Sequence, residues 1–165
     1  MKYRIAFLGL LLLLYGIALS LPCLLFDIVP KPGASGANLP TGELNAYGYP
    51  DNIYEVKGIE LTIAGIFGLI FLQIPAVGWL ANPAYWLCCI FFARQQDKFS
   101  AIVALIAITL GFLGTVSAFW LRLPNGSNPF SELALNKLLP GFWLWLAAPG
   151  LLALISSYFY RLKMR

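Results

Sequence analysis

The chain contains no histidine and has few charged residues for its length. Of its 165 residues, 11% are charged, whereas about 25% are charged in soluble domains. Hydrophobic residues make up 60% of the chain, above the roughly 45–50% of soluble domains. A soluble fold of this size needs polar side chains to cover its surface, whereas a surface that faces lipid needs no such cover. The composition therefore predicts an integral membrane protein.

The missing histidine also removes the usual general base, proton shuttle and haem ligand. The serines are not part of a G-x-S-x-G or S-x-x-K pattern, and no glycine-rich phosphate loop occurs. The acidic residues and cysteines lack the spacing of a metal site. We therefore expect no catalytic residue, no metal and no cofactor. An enzyme that acts on lipids is the weakest of the alternatives.

Cysteine is scarce, and Cys23, Cys88 and Cys89 all lie in apolar segments. The long polar segment contains none, so no disulfide framework is predicted. We interpret these residues as small buried hydrophobic side chains, with lipid attachment or a redox role as the alternative. The net charge of +4 does not indicate nucleic acid, because the basic residues do not cluster with aromatic residues on a soluble segment.

The first apolar segment follows Lys2 and Arg4 and predicts a helix over about residues 5–28. It is longer than the roughly 7–15 residues of a signal-peptide core, and no A-x-A cleavage site follows it. Residues 19–23 resemble a bacterial lipoprotein box, but Pro22 and the apolar sequence beyond Cys23 argue against cleavage. We therefore predict an uncleaved membrane-spanning helix.

Residues 29–58 form the one long polar segment, and its many prolines and glycines predict an irregular outer loop. A connection of this length exceeds the usual one. The loop is either a plain connector or a partner-contacting segment. Tyr47, Tyr49 and Tyr54 are the candidate contact residues, and they also suit the membrane interface.

Residues 59–94 are almost continuously apolar. A single helix over residues 59–93 would be about 52 Å long, against a hydrocarbon core of about 30 Å. Pro75 lacks an amide donor, and Asn82 followed by Pro83 suits a helix start. We predict one crossing that is broken near residues 74–82. A hairpin or two full spans are the alternatives.

Two further apolar segments predict helices over about residues 100–120 and 138–160. Between them, Asn125 and Gly126 indicate a turn, and Ser131 with Glu132 suits the start of a short interfacial helix. Asn125 also fits the glycosylation acceptor pattern. The predicted fold is a single all-α domain over residues 1–165: a four-helix transmembrane bundle with a broken second helix.

Positive charge near membrane ends favours the cytoplasmic side. Four crossings with an inner N-terminus place seven basic residues inside and four outside, whereas a hairpin at the second segment gives the reverse count. The inner set is Lys2, Arg4, Arg94, Lys98, Arg161, Lys163 and Arg165, and the outer set is Lys31, Lys57, Arg122 and Lys137. We predict cytoplasmic termini in a bacterial plasma (inner) membrane.

The strongest polar residues within the apolar segments are Gln73 and Asn82. A helix–helix hydrogen bond for Gln73 and a helix cap for Asn82 are the simplest interpretations. The alternative is a small polar site at a discontinuous helix, formed by Gln73, Pro75, Asn82 and Pro83. Nearby glycine pairs indicate close packing between helices of the same chain.

Together, these features predict a non-enzymatic membrane protein that acts by protein–protein contact. It would be an accessory subunit of a membrane complex or an immunity-type protein. The expected partners are the lipid bilayer and other membrane protein subunits or further copies of the chain, with no nucleic acid. The alternative function is a small transporter or channel that uses the discontinuous helix around residues 73–82.

Overall fold

The computed structural model describes residues 2–33, 43 and 50–164. Their helices are α1 (Lys2–Ser20), α2 (Gly58–Ile70), a 3₁₀ helix (Ile74–Leu80), α3 (Ala81–Ala93), α4 (Asp97–Ser117) and α5 (Pro140–Lys163). Their strands are β1 (Pro22–Pro30), β2 (Ile53–Lys57), β3 (Leu123–Pro124) and β4 (Ser131–Leu138). The long helices pack side by side, and the strands form one sheet at one end of the bundle.

Four segments are long and apolar enough to cross a membrane: Tyr3–Ser20, Ile74–Ala93, Asp97–Ser117 and Pro140–Lys163. They suggest a membrane location for the protein. The second of these segments consists of the 3₁₀ helix together with α3. The α2 helix has 13 residues and a length of about 20 Å, which is short of the roughly 30 Å hydrocarbon core.

The prediction of an all-α fold is not confirmed, because the chain also forms a four-stranded antiparallel sheet in the order β2-β1-β4-β3. Each strand adjoins an end of a helix, so the sheet covers that end of the bundle. Its inner face contributes Leu24, Phe26 and Leu135 to a core that also contains Phe142 and Leu146 of α5. Burial of this apolar face stabilises the sheet on the helices.

The sheet corrects three predicted boundaries. The first helix was expected to reach residue 28, but α1 ends at Ser20 and residues 22–30 form β1. Pro22 explains the stop, because proline disfavours the helical conformation of the residue before it and removes an amide donor. The predicted outer loop contains β2, and the interfacial helix expected at Ser131 is instead strand β4.

The structure divides the second apolar segment differently from the prediction. The helix was expected to be broken near residues 74–82, but those residues form the 3₁₀ helix and the start of α3. Pro75 lies in the first turn of the 3₁₀ helix, where its missing amide is tolerated. The interruption lies at residues 71–73, where Leu72 has a φ of 54°. A single broken second helix is therefore not what the structure shows.

Glycines allow α2 to lie against the 3₁₀ helix. A Cβ atom on Gly65 would lie 2.8 Å from Cγ of Trp79, and one on Gly68 would lie 2.6 Å from Cβ of Ala76. The later glycine of α2, Gly68, contacts the earlier residue of the 3₁₀ helix, Ala76, so the two segments run antiparallel. Glycines at these positions therefore serve packing within the chain, as predicted.

A second pair of glycines brings α4 against the 3₁₀ helix and α5. A Cβ atom on Gly114 would lie 2.5 Å from Cα of Gly78, and one on Gly111 would lie 2.8 Å from the indole ring of Trp145. A larger residue at Gly111 or Gly114 would collide with these atoms, so neither helix contact could form. The backbone of α4 and that of the 3₁₀ helix therefore touch directly, which fixes the position of the residues around Asn82.

An ionic cluster of Arg4, Asp97 and Lys163 joins α1, α4 and α5 at the end of the bundle opposite the sheet. Arg4 Nη1 and Nη2 lie 2.5 and 2.9 Å from the two carboxylate oxygens of Asp97, and Lys163 Nζ lies 2.7 Å from Oδ2. The Asp97 side chain is 1% exposed. The Arg4 guanidinium also lies 4.3 Å from the ring centre of Phe159.

Candidate functional site

A cavity of about 170 Å³ lies between the sheet and the helices. Residues of β1, α2, the 3₁₀ helix, α4 and α5 line it, and α3 contributes Asn82. It lies where the antiparallel pair of α2 and the 3₁₀ helix meets the inner face of the sheet. The sequence order alone would not bring these segments together.

Asn82 is the most buried polar side chain of this cavity, with 6% of its surface exposed. Its Oδ1 atom accepts hydrogen bonds from the Tyr15 hydroxyl at 2.8 Å and from Trp145 Nε1 at 2.9 Å. An indole nitrogen can only donate, so the amide atom that faces Trp145 must be the oxygen. The Nδ2 group of Asn82 is consequently turned away from this contact.

The Asn82 Nδ2 group donates to no acceptor within residues 2–33, 43 and 50–164. Every fully buried side-chain nitrogen or oxygen in that part of the chain has a hydrogen-bond partner. Nδ2 therefore retains contact with open space, and the cavity is the space that Asn82 borders. The Gln73 amide and the Thr115 hydroxyl also border the cavity, and neither donates a hydrogen bond to a described residue.

The remaining walls of the cavity are mostly apolar and include four aromatic side chains. Phe26, Trp79, Phe142 and Trp145 line it. Trp79 Nε1 donates to the Thr62 carbonyl oxygen at 2.6 Å, which holds the indole in place as a wall. None of the described residues that line the cavity is acidic or basic. The cavity thus combines a few unpaired polar groups with an uncharged apolar surface, which is typical of small-molecule sites.

Three of the four residues predicted to form a polar site line this cavity: Gln73, Pro75 and Asn82. Pro83 does not, because it is exposed on the outer side of α3. The interpretation of Asn82 as a helix cap is wrong, since α3 begins at Ala81 with Leu80 at the N-cap position. The structure instead places Asn82 inside the bundle as a hydrogen-bonding partner of two distant aromatic residues.

The predicted site did not include Tyr15, Trp145 or Thr115. Tyr15 was visible as a tyrosine within a continuous apolar run, where its hydroxyl group needs a partner. Its partner Asn82 lies 67 residues away in sequence, and no spacing rule connects the two positions. Thr115 carries no such signal, because a threonine in a membrane-spanning helix commonly bonds its own backbone.

The predicted contact residues fall in two regions. Tyr47 and Tyr49 lie outside the described residues. Tyr54 lies in β2 and is 44% exposed. It pairs with Phe26, and cross-strand partners share a face, so Tyr54 lies on the face of the sheet that is directed towards the helices. Its ring is thus partly exposed on the inner side of this edge strand.

All three cysteines are buried, with 3%, 0% and 5% of Cys23, Cys88 and Cys89 exposed. Their interpretation as small buried side chains is confirmed. Burial raises the pKa of the Cys23 thiol to about 11. This thiol is therefore protonated and poorly reactive at neutral pH.

These features describe a helical protein with four segments long and apolar enough to cross a membrane, a small sheet over one end and a partly open cavity beneath it. No protein-family model, curated protein or solved structure matches this chain. The geometry of the described residues therefore carries the functional argument.

Proposed function

We propose that this chain is a non-enzymatic membrane protein that acts by contact with another membrane protein, as an accessory subunit or an immunity-type protein. The observation that carries the proposal is a lateral face formed by β2 and α2. Strand β2 ends at Lys57 and α2 begins at Gly58, so the two elements follow each other directly. We define the lateral face as the exposed residues of β2 and α2.

The strand part of the lateral face offers backbone groups to a partner. β2 lies at the edge of the sheet and pairs with β1 on one side, within the described residues. Ile53 and Tyr54 are 40% and 44% exposed. An edge strand presents unpaired N–H and C=O groups, which a strand of another protein can bind. The apolar side chains at this edge add contact area.

The helix part of the lateral face is a stripe of exposed apolar side chains. Ile59, Ile63, Ile66, Phe67 and Ile70 are between 45% and 66% exposed. Their spacing of three or four residues places them on one face of α2. The opposite face carries the glycines that contact the 3₁₀ helix. Lipid also accommodates such a stripe, so the test has to distinguish lipid from a protein neighbour.

Photo-crosslinking in native membranes makes this distinction. A photoreactive amino acid is placed at Tyr54 or Ile63 on the lateral face. The matched controls are Leu105 and Leu154, which are 58% and 70% exposed on α4 and α5. We expect a protein adduct of one defined mass from the lateral face and only lipid adducts from the controls. An adduct of twice the chain mass identifies a second copy as the partner.

Lipid adducts alone from Tyr54 and Ile63, with the protein inserted and folded, would overturn the proposal. A protein ladder of equal intensity from all four positions would also overturn it, because it would indicate random collisions. Gentle detergent extraction provides a second measurement: the protein is expected to co-purify with a partner or as an oligomer.

We also propose that the termini are cytoplasmic and that the sheet lies on the outer side of a bacterial plasma membrane. The end of the bundle with the ionic cluster also carries the exposed Arg94 and Lys98, and basic residues favour the inner side. In this arrangement residues 59–94 cross the membrane once, through Ile74–Ala93, and α2 lies back along the 3₁₀ helix.

A small transporter or channel is the second candidate, because the cavity borders the interruption between α2 and the 3₁₀ helix. Flux in proteoliposomes tests it. If the wild-type protein carries a solute across the membrane, and Gln73→Leu or Asn82→Ala abolishes this flux while the variant still inserts, the result favours a transport function over a function by protein contact.

A further inference from the structure

We propose that the cavity beneath the sheet binds a neutral molecule that combines a carbonyl oxygen with an apolar body. This inference is independent of the lateral face, since it depends on the interior of the bundle. The oxygen of the Asn82 amide accepts hydrogen bonds from both Tyr15 and Trp145 and so has no free lone pair for a ligand. The two N–H groups on Nδ2 are left as donors at the cavity wall.

A donor in this position selects an acceptor. An unpaired buried N–H group is costly, so a ligand that accepts from it gains affinity that an isosteric hydrocarbon does not gain. The Thr115 hydroxyl also lines the cavity and offers a further donor. A carbonyl oxygen has two lone pairs and accepts hydrogen bonds without donating any, so it suits a wall that offers donors.

The lining of the cavity determines the charge, the shape and the size of the ligand. None of the described lining residues is charged, and burying an unpaired ion in such a site is prohibitive, so the ligand is neutral. Trp79, Phe142 and Trp145 provide aromatic surfaces that suit a ring or an acyl chain. The volume of about 170 Å³ is slightly above the roughly 150 Å³ of an apolar cavity that binds benzene. One ring with a small substituent therefore fits.

Two sources supply this chemistry. One is a free small ketone, and the other is the ester carbonyl of a neutral lipid with part of its acyl chain. The cavity is partly open to the outside, so a ligand from either source can enter it.

Binding is measured by fluorine NMR on the full-length protein in lipid nanodiscs. The probe is para-fluoroacetophenone, and its matched control is para-fluoro-α-methylstyrene, in which a CH₂ group replaces the carbonyl oxygen. Empty nanodiscs correct for partition into lipid. We expect the ketone to bind about 5-fold more tightly than the hydrocarbon, the effect of one net hydrogen bond.

Two variants locate the site. Asn82→Leu keeps a similar side-chain volume and removes both Nδ2 donors, so the preference for the ketone is expected to fall. Ala118→Leu places bulk at the cavity wall, and we expect it to abolish binding of both probes. Ala134→Leu is the matched control, because Ala134 lies in β4 and does not line the cavity. Circular dichroism establishes that each variant is folded.

Equal binding of the two probes to the wild-type protein would overturn the proposal, as would a ketone preference that is unchanged in Asn82→Leu. If Ala118→Leu and Ala134→Leu reduce probe binding equally, the assignment of the binding site to this cavity is overturned. Dioctanoylglycerol separates the sources. Displacement of the bound ketone by this lipid indicates an ester carbonyl as the ligand, and its failure to displace the ketone indicates a free small molecule. Both of these outcomes support a carbonyl site.

Discussion

The substitution Asp97→Asn tests how strongly the ionic cluster holds the helices together. Asp97 accepts two hydrogen bonds from Arg4 and one from Lys163, and its side chain is 1% exposed. Asparagine keeps the shape but loses the charge, and its NH₂ group is directed at a cation. The Arg4 side chain is 11% exposed, so its charge would stay largely buried without a counter-ion.

The expected loss follows from this burial. Removing one partner of a buried ion pair typically costs about 3–5 kcal/mol. We expect the lower end, about 3 kcal/mol, because Arg4 keeps the Phe92 carbonyl oxygen at 3.2 Å and its contact with the Phe159 ring. For a domain of this size, this loss lowers the unfolding midpoint by on the order of 10 °C.

The two cations are not expected to contribute equally. Lys163→Gln should cost less than about 1 kcal/mol, because the Lys163 side chain is 48% exposed and water can replace its partner. Arg4→Gln should lie between the two, since Asp97 then keeps Lys163. Glu132→Gln is the matched control: its pair with Arg122 spans 3.6 Å and is partly exposed.

The assay uses the protein's own thiols. All three cysteines are buried, so a fluorogenic maleimide reacts with them slowly in the folded protein and much faster once the protein unfolds in detergent. The order of midpoints is expected to be Asp97→Asn lowest, then Arg4→Gln, then Lys163→Gln close to wild type. A midpoint for Asp97→Asn that matches that of Glu132→Gln would refute the reasoning.

Three further substitutions or conditions test other contacts. Gly114→Ala should lower the unfolding midpoint markedly, because its Cβ would collide with the backbone of the 3₁₀ helix, whereas Gly126→Ala meets open space and should be neutral. Tyr15→Phe removes a buried hydrogen bond and should cost about 1 kcal/mol, whereas Tyr158→Phe, at an exposed ring, should cost almost nothing in the same assay. With the other two cysteines replaced by alanine, alkylation of folded Cys23 should keep accelerating up to about pH 11, because burial raises its pKa to about 11 and the thiolate is the reactive form. A rate that levels off near the ordinary thiol pKa would contradict this burial.

The sequence predicted the membrane-spanning segments because their signal is the length of an apolar run. Residues 100–120 and 138–160 correspond closely to α4 and α5. The sheet was missed because β1 continues the apolar run of α1, and a short apolar run does not distinguish strand from helix. Strand β4 carried a usable signal, since Leu133 and Leu135 alternate with Glu132 and Ala134.

The cavity was predictable only in part. The polar character of Gln73 and Asn82 and the proximity of Pro75 indicated a possible site. The hydrogen bonds of Asn82 to Tyr15 and Trp145 span 67 and 63 residues, and these distant contacts decide which amide atom faces the cavity. Contacts of this kind follow from tertiary packing, which local patterns do not encode.

In the proposed topology four helices cross a membrane, with the sheet on one side and the ionic cluster on the other. Single cysteines at Gly126 in the β3–β4 turn and at Gln96 between α3 and α4 test it most directly, in a protein whose native cysteines are replaced by alanine. Both positions are exposed. We predict that a membrane-impermeant maleimide labels Gly126→Cys in intact bacterial cells and Gln96→Cys only after permeabilisation. Labelling of both positions in intact cells would contradict the account.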